Sequence, residues 1–300
     1  MARGRRAQDP SADHLKRINR TLTYVDDHLG DALDLDALAA VAGFSRFHFH
    51  RVFKRVAGAS PQEYVKRRRL EMAFHFLSND SSLGVNEVSD LLGFSSPSNF
   101  ARSFRGLYSF APRHLRRPST YPFRAGPGPE DGRPFVFIDP SQVRLGAVEP
   151  FRVLFERRKG RPTDPALVGR VFAGLHAEAE RRGCSMAGAR EVVIGKSIPG
   201  LVAPEESAFD FGVEIPSSAV VDDPDLVQVV QGGTYARYEY RGDPSRVVDC
   251  WGELYSVWLK RSGLAVGNGF GFTVAAGVPA GVLGPPTFHL FLPIRAHARG

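Results

Sequence analysis

The chain has 300 residues, 43% of them hydrophobic and 24% charged, proportions that are typical of a globular protein large enough for two domains. Its two cysteines, Cys184 and Cys250, are too few for a disulfide framework, so we expect reduced thiols and a cytoplasmic protein. No apolar run reaches the roughly 18 residues of a membrane-spanning helix. The excess of positive charge comes from residues 1–124, which hold 20 Lys and Arg against 12 Asp and Glu. Residues 125–300 hold 19 Lys and Arg against 20 Asp and Glu. A polyanionic partner is therefore expected to bind the first part of the chain.

Proline and glycine residues divide the chain into two domains. Residues 118–134 read PSTYPFRAGPGPEDGRP, lack apolar periodicity and predict a linker. We place a disordered basic arm at residues 1–12, an all-α domain at 13–117 and an α+β domain at 135–296. The all-α domain opens with an amphipathic helix, whose inner face is predicted to carry Ile18, Leu22, Val25 and Leu29.

Two stretches of the all-α domain repeat one pattern about fifty residues apart. The first reads GFSRFHFHRVFKRVAGASP from Gly43, and the second reads GFSSPSNFARSFRGLYSFAP from Gly93. Each stretch follows a short apolar segment and continues into a longer one with an apolar stripe and a polar face. A glycine at each junction suits the positive φ of a tight turn between two helices. The repeat therefore predicts two helix-turn-helix units.

The polar face of the longer helix in each unit carries side chains that are suited to DNA bases. Arg bonds guanine with two hydrogen bonds, and Asn does the same with adenine. Such residues near the N-terminal half of a helix are suited to the major groove. The candidates are Arg46, Phe47, His50, Arg51 and Lys54 in the first unit, and Ser98, Asn99, Arg102 and Arg105 in the second.

The segment between the two units, residues 61–78, reads PQEYVKRRRLEMAFHFLS and predicts one continuous helix. Its length at about 1.5 Å per residue is roughly 27 Å, and successive major grooves on one side of B-DNA lie about 34 Å apart. We therefore expect a rigid connector that lets one monomer bind two adjacent grooves. The basic run at 66–69 is interpreted either as a phosphate contact or as a solvated helix face. The repeat as a whole has a helical bundle as its alternative interpretation.

The repeat resembles the DNA-binding domain of AraC/XylS-type transcriptional regulators. The resemblance covers residues 13–117 and is carried by LDALAAVAGFSRFHFHRVFKRV and VNEVSDLLGFSSPSNFARSFRG. It implies double-stranded DNA and RNA polymerase as partners and activation of transcription. Because Pro97 has no N–H to donate, the second helix is expected to specify less than the first. The base-reading positions that the resemblance implies are Phe47, His50, Arg51, Pro97, Ser98, Asn99 and Arg102.

The α+β domain is predicted to contain two copies of a strand-helix-strand-strand unit. Such duplicated units commonly pair their sheets around a cleft, where ligands bind. The first copy is predicted to have strands at 150–160, 191–198 and 208–215 and a helix at 165–182. The second copy is predicted to have strands at 225–232, 234–242, 269–276 and 287–294 and a helix at 244–261.

This second half resembles the GyrI-like effector-binding domain, also called the SOUL-type or multidrug-binding fold, through FRVLFERRKGRP, AFDFGVEIP and FHLFLPI. The resemblance implies an amphipathic or cationic small molecule in an aromatic cleft with an acid at its floor. The penultimate strand, within NGFGFTVAAGVP, has no carboxylate, and Gly271 stands near the place of that acid. We therefore favour a small molecule that is neutral, aromatic or lipophilic, with a pocket that has lost its ligand as the alternative.

Aromatic and acidic residues supply the candidates for this pocket. Trp251, Tyr255 and Trp258 share one helix face, where they would stack on a flat ligand, attract a cation or pack in the core. The carboxylates of Glu214 and Glu239 lie on predicted strands, and each is interpreted either as a group that neutralises a cationic ligand or as a solvated strand residue. The ligand-binding candidates are Phe211, Glu214, Tyr235, Glu239, Trp251, Tyr255 and Trp258.

These observations predict a DNA-binding transcription regulator with a small-molecule effector, and not an enzyme. No hydrolase, metalloprotease, nucleotide or dinucleotide motif occurs, so no catalytic residue, metal or cofactor is assigned. His48 and His50 lie two apart on a helix and point in different directions, which disfavours a metal site. One alternative is a DNA-binding protein whose second domain recruits a protein without a ligand. The other is a GyrI-like hydrolase of DNA-alkylating natural products that uses Glu239 and Tyr255.

Overall fold

The structure is a computed structural model that describes residues 12–79, 83–116, 138–160, 165–197, 207–223, 226–267, 269–276 and 285–296. The chain divides into two compact units: Met1–Ala73 with Asn86–Ser109, and Phe74–Val85 with Phe110–Gly300. The predicted linker at 118–134 and all but one residue of the predicted arm lie outside the described residues, so those boundaries stay predictions. Among the helices of the described ranges, none is both long and apolar enough to cross a bilayer.

The repeat region is helical, as predicted. Its helices are α1 Ala12–Asp27, α2 Leu35–Ala42, α3 Arg46–Ala57, α4 Pro61–Asn79, α5 Val85–Leu91 and α6 Pro97–Tyr108. All four residues predicted for the inner face of α1 are buried. On α3 and α6 the stripes that pack inward carry phenylalanines with no exposed surface, namely Phe49, Phe53, Phe100 and Phe104.

The connector α4 begins where its first residues predict. Ser60 and Glu63 form a reciprocal cap: the Ser60 backbone N–H donates to Glu63 Oε2 at 2.9 Å, and the Glu63 N–H donates to Ser60 Oγ at 3.3 Å. Pro61 takes the first helical position, where its missing N–H costs nothing. The helix runs to Asn79, one residue beyond the predicted end.

The turn after α2 and the turn after α5 have the same backbone geometry. Gly43 and Gly93 both adopt φ of 63°, a left-handed conformation that favours glycine. In the first turn the Phe44 N–H donates to the Ala39 carbonyl at 3.0 Å, and in the second the Phe94 N–H donates to the Ser89 carbonyl at 3.1 Å. The two helix-turn-helix units predicted from the sequence repeat are therefore present.

The second unit is a strand-rich antiparallel sheet. Its strands are β1 Arg144–Val148, β2 Phe151–Lys159, β3 Glu191–Gly195, β4 Ala208–Ile215, β5 Val227–Val230, β6 Gly233–Arg241, β7 Leu264–Val266, β8 Phe272–Ala276 and β9 Thr287–Ala296. They lie in the order β1-β6-β9-β8-β3-β4-β2-β5, with β7 paired to β9. The strands β1 and β7 were not predicted, because β1 is exposed along most of its length and β7 is only three residues long.

Helices cover one face of this sheet. The helix α7, Pro165–Arg181, packs on β2 and β4 through Phe172 against Phe211. The second helical segment comprises α8 Val247–Glu253, a π-helical turn at Leu254–Trp258 and α9 Leu259–Ser262, and it packs on β6 and β9. Because strand side chains alternate, the residues between these core positions point to the other face of the sheet.

That other face carries its own hydrophobic cluster, built from strands and the residues next to them; we call it the strand-lined face. Its members include Phe151, Val153, Phe155, Val192, Ile194, Tyr235, Phe272 and Phe291.

Both cysteines are buried and free, as the sequence predicts. Burial raises the pKa of the Cys250 thiol to about 12. The thiol of Cys250 is therefore protonated at neutral pH and is a poor nucleophile.

Candidate nucleic-acid interface and small-molecule site

The first reader helix, α3, turns its predicted base-reading residues outward. Arg46, Phe47, His50, Arg51 and Lys54 are all exposed. Phe47 is 89% exposed, which leaves its ring available to a thymine methyl group. His48, in contrast, stacks on Phe44 with ring centroids 4.7 Å apart. The histidine pair therefore points in two directions, as the helical spacing requires.

The arginines of the two reader helices differ in how they are held. Arg46 lies 3.3 Å from Asp36 in an ion pair whose side chains are both well exposed, so the pair is weak. Within the described part of the chain, Arg51 and Arg102 have no hydrogen-bond or ion-pair partner. An exposed guanidinium without an internal partner can donate a forked pair of hydrogen bonds to guanine or to a phosphate.

The second reader helix, α6, begins at Pro97 after the N-cap Ser96, whose side chain accepts from the Asn99 N–H at 3.1 Å. The Asn99 side chain donates to Ser95 Oγ at 2.9 Å and accepts from Ser103 Oγ at 3.5 Å. A primary amide has two N–H groups and two acceptor positions, so one of each remains. Asn99 therefore presents a partly fixed donor and acceptor, next to Ser98 and Arg102, which are also exposed.

Most side chains of the basic run at 66–69 bond to other groups of the protein and are not free for solvent or phosphate. Arg67 donates to Glu71 at 3.1 Å. Arg68 is buried and pairs with Asp26 at 2.9 Å and with Glu71. Of the four, Lys66 is exposed, Arg67 and Arg69 are half-buried and Arg68 is buried. Three of the four charges are thus bonded to other groups of the protein.

Arg69 joins the two helix-turn-helix units. It donates to the carbonyls of Leu29 at 2.9 Å and Asp31 at 2.6 Å in the loop after α1, and to the carbonyl of Gly93 at 2.7 Å in the second turn. The two backbones meet closely here, since a Cβ built on Gly93 would lie 2.7 Å from the Gly30 carbonyl oxygen. Arg69 therefore fixes the second turn against the loop that precedes α2. This role was not predicted, because a run of four basic residues does not show which of them is bonded inside the protein.

In the second compact unit, which contains the sheet, one row of directly paired residues crosses the strand-lined face. Residues paired across antiparallel strands place their side chains on the same side of the sheet. From β1 to β2 the row is Arg144, Arg237, Phe291, Phe272, Ile194, Asp210 and Arg157. The row has a cationic end, an aromatic middle and a second, ionic end.

The aromatic middle is tightly stacked. Phe272 and Phe291 lie with ring centroids 4.7 Å apart at an interplanar angle of 9°, and Tyr235 meets Phe272 edge-on at 5.4 Å. The Tyr235 hydroxyl donates to the Gln231 carbonyl at 2.7 Å, and burial raises the pKa of Tyr235. Tyr235 is the one predicted ligand-binding aromatic that belongs to this cluster.

The ionic end contains a carboxylate that sequence analysis did not select. Asp210 has no exposed surface and accepts two hydrogen bonds from Arg157, at 2.6 and 3.0 Å. Lys196 Nζ lies 3.4 Å from it, and Gln228 donates to it at 3.1 Å. Burial acts to raise the pKa of Asp210, but the charges of Arg157 and Lys196 hold it below its usual value. Asp210 could be recognised only from the pairing of its strand with the neighbouring strands, which the sequence alone does not reveal.

The predicted tryptophan stripe lies on the helix-covered side. The Trp251 indole N–H donates to Thr273 Oγ1 at 3.1 Å, and the ring stacks on Tyr255 at 5.7 Å. A Cβ on Gly271 would lie 2.5 Å from Trp251 Cη2, so the indole occupies the space that an acidic side chain at 271 would need. Trp258 is 8% exposed and belongs to the core beneath the helix.

The remaining candidates are spread over both faces. Phe211 is buried beneath α7, where it contacts Phe172. Glu214 accepts two hydrogen bonds from Arg190, at 2.6 and 2.9 Å, and these lower the pKa of Glu214. Glu239 pairs with Arg241 at 2.8 Å on the strand-lined face, whereas Tyr255 packs on the opposite side of β6. The structure therefore does not bring Glu239 and Tyr255 together.

Comparison with known proteins identifies both parts of the chain. Residues 38–118 match a helix-turn-helix domain, and residues 141–275 match a GyrI-like small molecule binding domain. The class of protein is thus a helix-turn-helix domain followed by a GyrI-like domain. The helix-turn-helix domain belongs to the AraC type, as its relatives among AraC-family regulators indicate.

Two of those relatives are the HTH-type transcriptional activator RhaS of Escherichia coli O139:H28 and the probable transcriptional regulator LumQ of Photobacterium leiognathi. RhaS is 32% identical over 110 residues, or 37% of this chain and 39% of RhaS. LumQ is 33% identical over 100 residues, or 33% of this chain and 40% of LumQ. The chain therefore spans about two fifths of the length of the curated relatives it matches.

Solved structures with local similarity include the AdpA DNA-binding domain in complex with a target DNA, at 29% identity and a TM-score of 0.32 over 33% of this chain and 89% of that one. An AraC-type regulator from Chromobacterium violaceum aligns at 25% identity and a TM-score of 0.34, over 37% of this chain and 99% of that one. The EcmrR C-terminal domain aligns at 10% identity and a TM-score of 0.43, over 52% of this chain and 98% of that one.

Proposed function

We propose that this protein is a cytoplasmic transcription regulator that binds two adjacent major-groove segments of duplex DNA through α3 and α6, as a monomer. Its second unit binds a small aromatic or lipophilic effector that alters this activity. We also propose that it activates transcription through contact with RNA polymerase, since the relative RhaS is named a transcriptional activator.

One observation carries the DNA-binding part of the proposal. Two helix-turn-helix units with matching turns expose equivalent arginines, Arg51 and Arg102, and neither has a partner in the described part of the chain. The same region of the sequence holds all of the excess positive charge. Two such faces on one chain are suited to one duplex, because a single connector helix, α4, links them.

The test is selection of duplexes from a random-sequence pool by the purified full-length protein. We expect an enriched motif with two recognised segments about 10 base pairs apart, bound by one chain per duplex. Enrichment of a single segment would contradict the two-reader proposal. Retention of all sequences alike would contradict sequence-specific binding.

The second unit is proposed to be a duplication that forms a ligand site. The strand-helix-strand-strand order β2-α7-β3-β4 has its counterpart in β6, the α8–α9 segment, β8 and β9, and β3 pairs with β8 at the centre of the sheet. Supporting a small-molecule role, residues 141–275 match a domain of that description. A protein-recruiting second unit stays the alternative, and saturable binding of a small molecule separates the two.

A non-enzymatic role is favoured over hydrolysis. The hydrolase alternative needs a carboxylate and a tyrosine that act on the same water molecule. Glu239 and Tyr255, the pair considered for that role, lie on opposite sides of β6. Incubation of the protein with a DNA-alkylating natural product, followed by product analysis, tests this point: hydrolysis above the buffer rate would contradict the proposal.

A further inference from the structure

A groove lies where β6 runs past the end of β1. The last pair between these strands joins Arg144 to Arg237, and β6 continues from Tyr238 to Arg241 beyond it. The groove beside this edge has a volume of about 730 Å³, and its other side is formed by Gln142 and Arg144. This volume is within the range of roughly 300–1,000 Å³ that is typical of small-molecule sites.

The groove carries more positive than negative charge. It is lined by three guanidinium groups, of Arg144, Arg237 and Arg241, and by one carboxylate, of Glu239. Glu239 pairs with Arg241 at 2.8 Å and lies 3.7 Å from His289, and in the described ranges it forms no ion pair with Arg144 or Arg237. The lining therefore favours an anionic ligand over a cationic one.

Arg144 and Arg237 stand directly opposite each other on paired strands. Like charges at such positions destabilise a sheet, and an anion between them removes that cost. Neither arginine forms an ion pair with a carboxylate in the described part of the chain. Arg144 donates to the Ser141 carbonyl at 2.6 Å, and Arg237 Nη2 lies 3.1 Å from His289 Nδ1. Burial and the charge of Arg237 lower the pKa of His289, whereas the charge of Glu239, 3.7 Å away, acts to raise it.

An aromatic surface adjoins the two arginines. Arg237 is paired with Phe291, whose ring centroid lies 5.8 Å from the guanidinium carbon. Phe291 is partly exposed and stacks on Phe272 at 4.7 Å. A flat ring placed on Phe291 would hold its substituents near the two guanidinium groups. Planar guanidinium groups bind carboxylates through two parallel hydrogen bonds.

We infer that an aromatic carboxylate binds at this edge of β6. Its carboxylate lies between Arg144 and Arg237, which line the groove, and its ring lies on Phe291, which neighbours Arg237 on the strand-lined face outside the groove. The inference rests on the small-molecule role proposed for the second unit and names the ligand class. It reverses the charge of the effector that the GyrI-like resemblance implies. The indole of Trp251 fills the space of the missing acid at Gly271, which is consistent with a site that has no use for a cation.

The test is calorimetric titration of the full-length protein with 2-naphthoate and with two matched probes, the neutral 2-naphthamide and the cationic 2-naphthylmethylammonium. We expect saturable binding of 2-naphthoate and at least tenfold weaker binding of both other probes. Inorganic phosphate is expected to compete at least tenfold less well than 2-naphthoate, because it lacks the ring. Equal binding of the three naphthyl probes, no saturable binding of 2-naphthoate, or equal competition by phosphate would overturn the inference.

Arg144→Gln and Arg237→Gln are each expected to weaken 2-naphthoate binding at least tenfold. Arg170→Gln, an equal loss of charge at an exposed position of α7, is expected to change it less than twofold. Thermal unfolding of each variant identifies any that fails to fold. A variant that fails is replaced by Arg144→Lys, whose affinity for 2-naphthoate is expected to lie between those of the wild type and Arg144→Gln. Wild-type affinity in both Gln variants would overturn the inference. Selection of DNA by the same protein is a separate readout, so intact DNA binding without 2-naphthoate binding refutes the ligand class and leaves the DNA-binding proposal standing.

Discussion

The two helix-turn-helix units share a backbone plan but not a surface. Phe49 and Phe53 on α3 and their counterparts Phe100 and Phe104 on α6 have no exposed area. The outward residues differ: the first helix exposes a phenyl ring at Phe47, whereas the second begins with a proline and an amide already bonded to neighbouring serines. The packing positions of the two helices therefore match, while the outward positions that we propose to face DNA differ.

Burial therefore constrains the residues on the inner half of each helix, whereas the residues on the exposed half can differ between the units. Both units expose an arginine that has no partner in the described ranges, Arg51 or Arg102, and the first unit adds the exposed ring of Phe47. The second offers a partly held Asn99, which suits a single preferred geometry. The base-reading residues of the two units are thus expected to contribute in different ways to one site.

The largest expected effect concerns the charge that the two units share. DNA affinity should fall about 1,000-fold between 50 and 200 mM salt, if roughly six phosphates are neutralised. Lys54→Ala and Arg105→Ala change aligned, exposed positions, and each should reduce the slope of log affinity against log salt by about 1. Fluorescence anisotropy titrations at several salt concentrations measure both slopes. A change in only one variant would show that one unit alone contacts the backbone at this position.

The next effect concerns the hydrogen bonds by which Arg69 holds the second helix-turn-helix unit against the loop before α2. Arg69→Met removes three hydrogen bonds to carbonyls and should lower the free energy of unfolding by about 2–4 kcal/mol, because three backbone carbonyls lose a charged donor. It should also weaken binding to a two-segment site more than to either segment alone. Urea denaturation and DNA titration of the folded protein measure these effects.

The control for Arg69→Met is Lys66→Met, which removes the same charge from an exposed position on the same helix. Its free energy of unfolding should stay within about 0.5 kcal/mol of wild type. Similar unfolding and DNA binding in the two variants would mean that Arg69 does not position the second unit.

Replacement of the equivalent arginines compares the units directly. Arg51→Ala and Arg102→Ala should each weaken specific binding by about 1–3 kcal/mol and relax base preference at one position. Their base positions should lie in different segments. Titrations against a set of single-base variants of the selected site measure this. A uniform loss over all sequences would assign the residue to a phosphate instead.

The smallest effect distinguishes the bonded amide of the second unit. Ser95→Ala removes one hydrogen bond to Asn99 and should weaken specific DNA binding by about 0.5–1 kcal/mol. Ser45→Ala, at the N-cap of α3 in the first unit, replaces a side chain that makes no cap hydrogen bond and should leave affinity unchanged within error. Competition titrations on the same duplex compare them. Equal losses would remove the proposed contrast between the units.

Patterns that depend on neighbouring residues could be predicted from the sequence. The inner stripe of α1, the glycine turns, the capped connector α4 and the apolar strands follow from spacing and turn chemistry. Features that depend on distant parts of the chain could not. Arg69 acts on carbonyls 24 to 40 residues away, and Asp210 meets Arg157 only through strand register. Exposed β1 lacked the alternation by which a strand is detected.

The most direct test of the central claim is guanine N7 methylation interference on a selected duplex bound by one protein chain. N7 lies in the major groove, so a methyl group there blocks a reader helix without altering the minor groove. We predict two sets of interfering guanines about one helical turn apart, with Arg51→Ala removing one set and Arg102→Ala the other. A single set of interfering guanines, or one set that both variants abolish, would contradict the account.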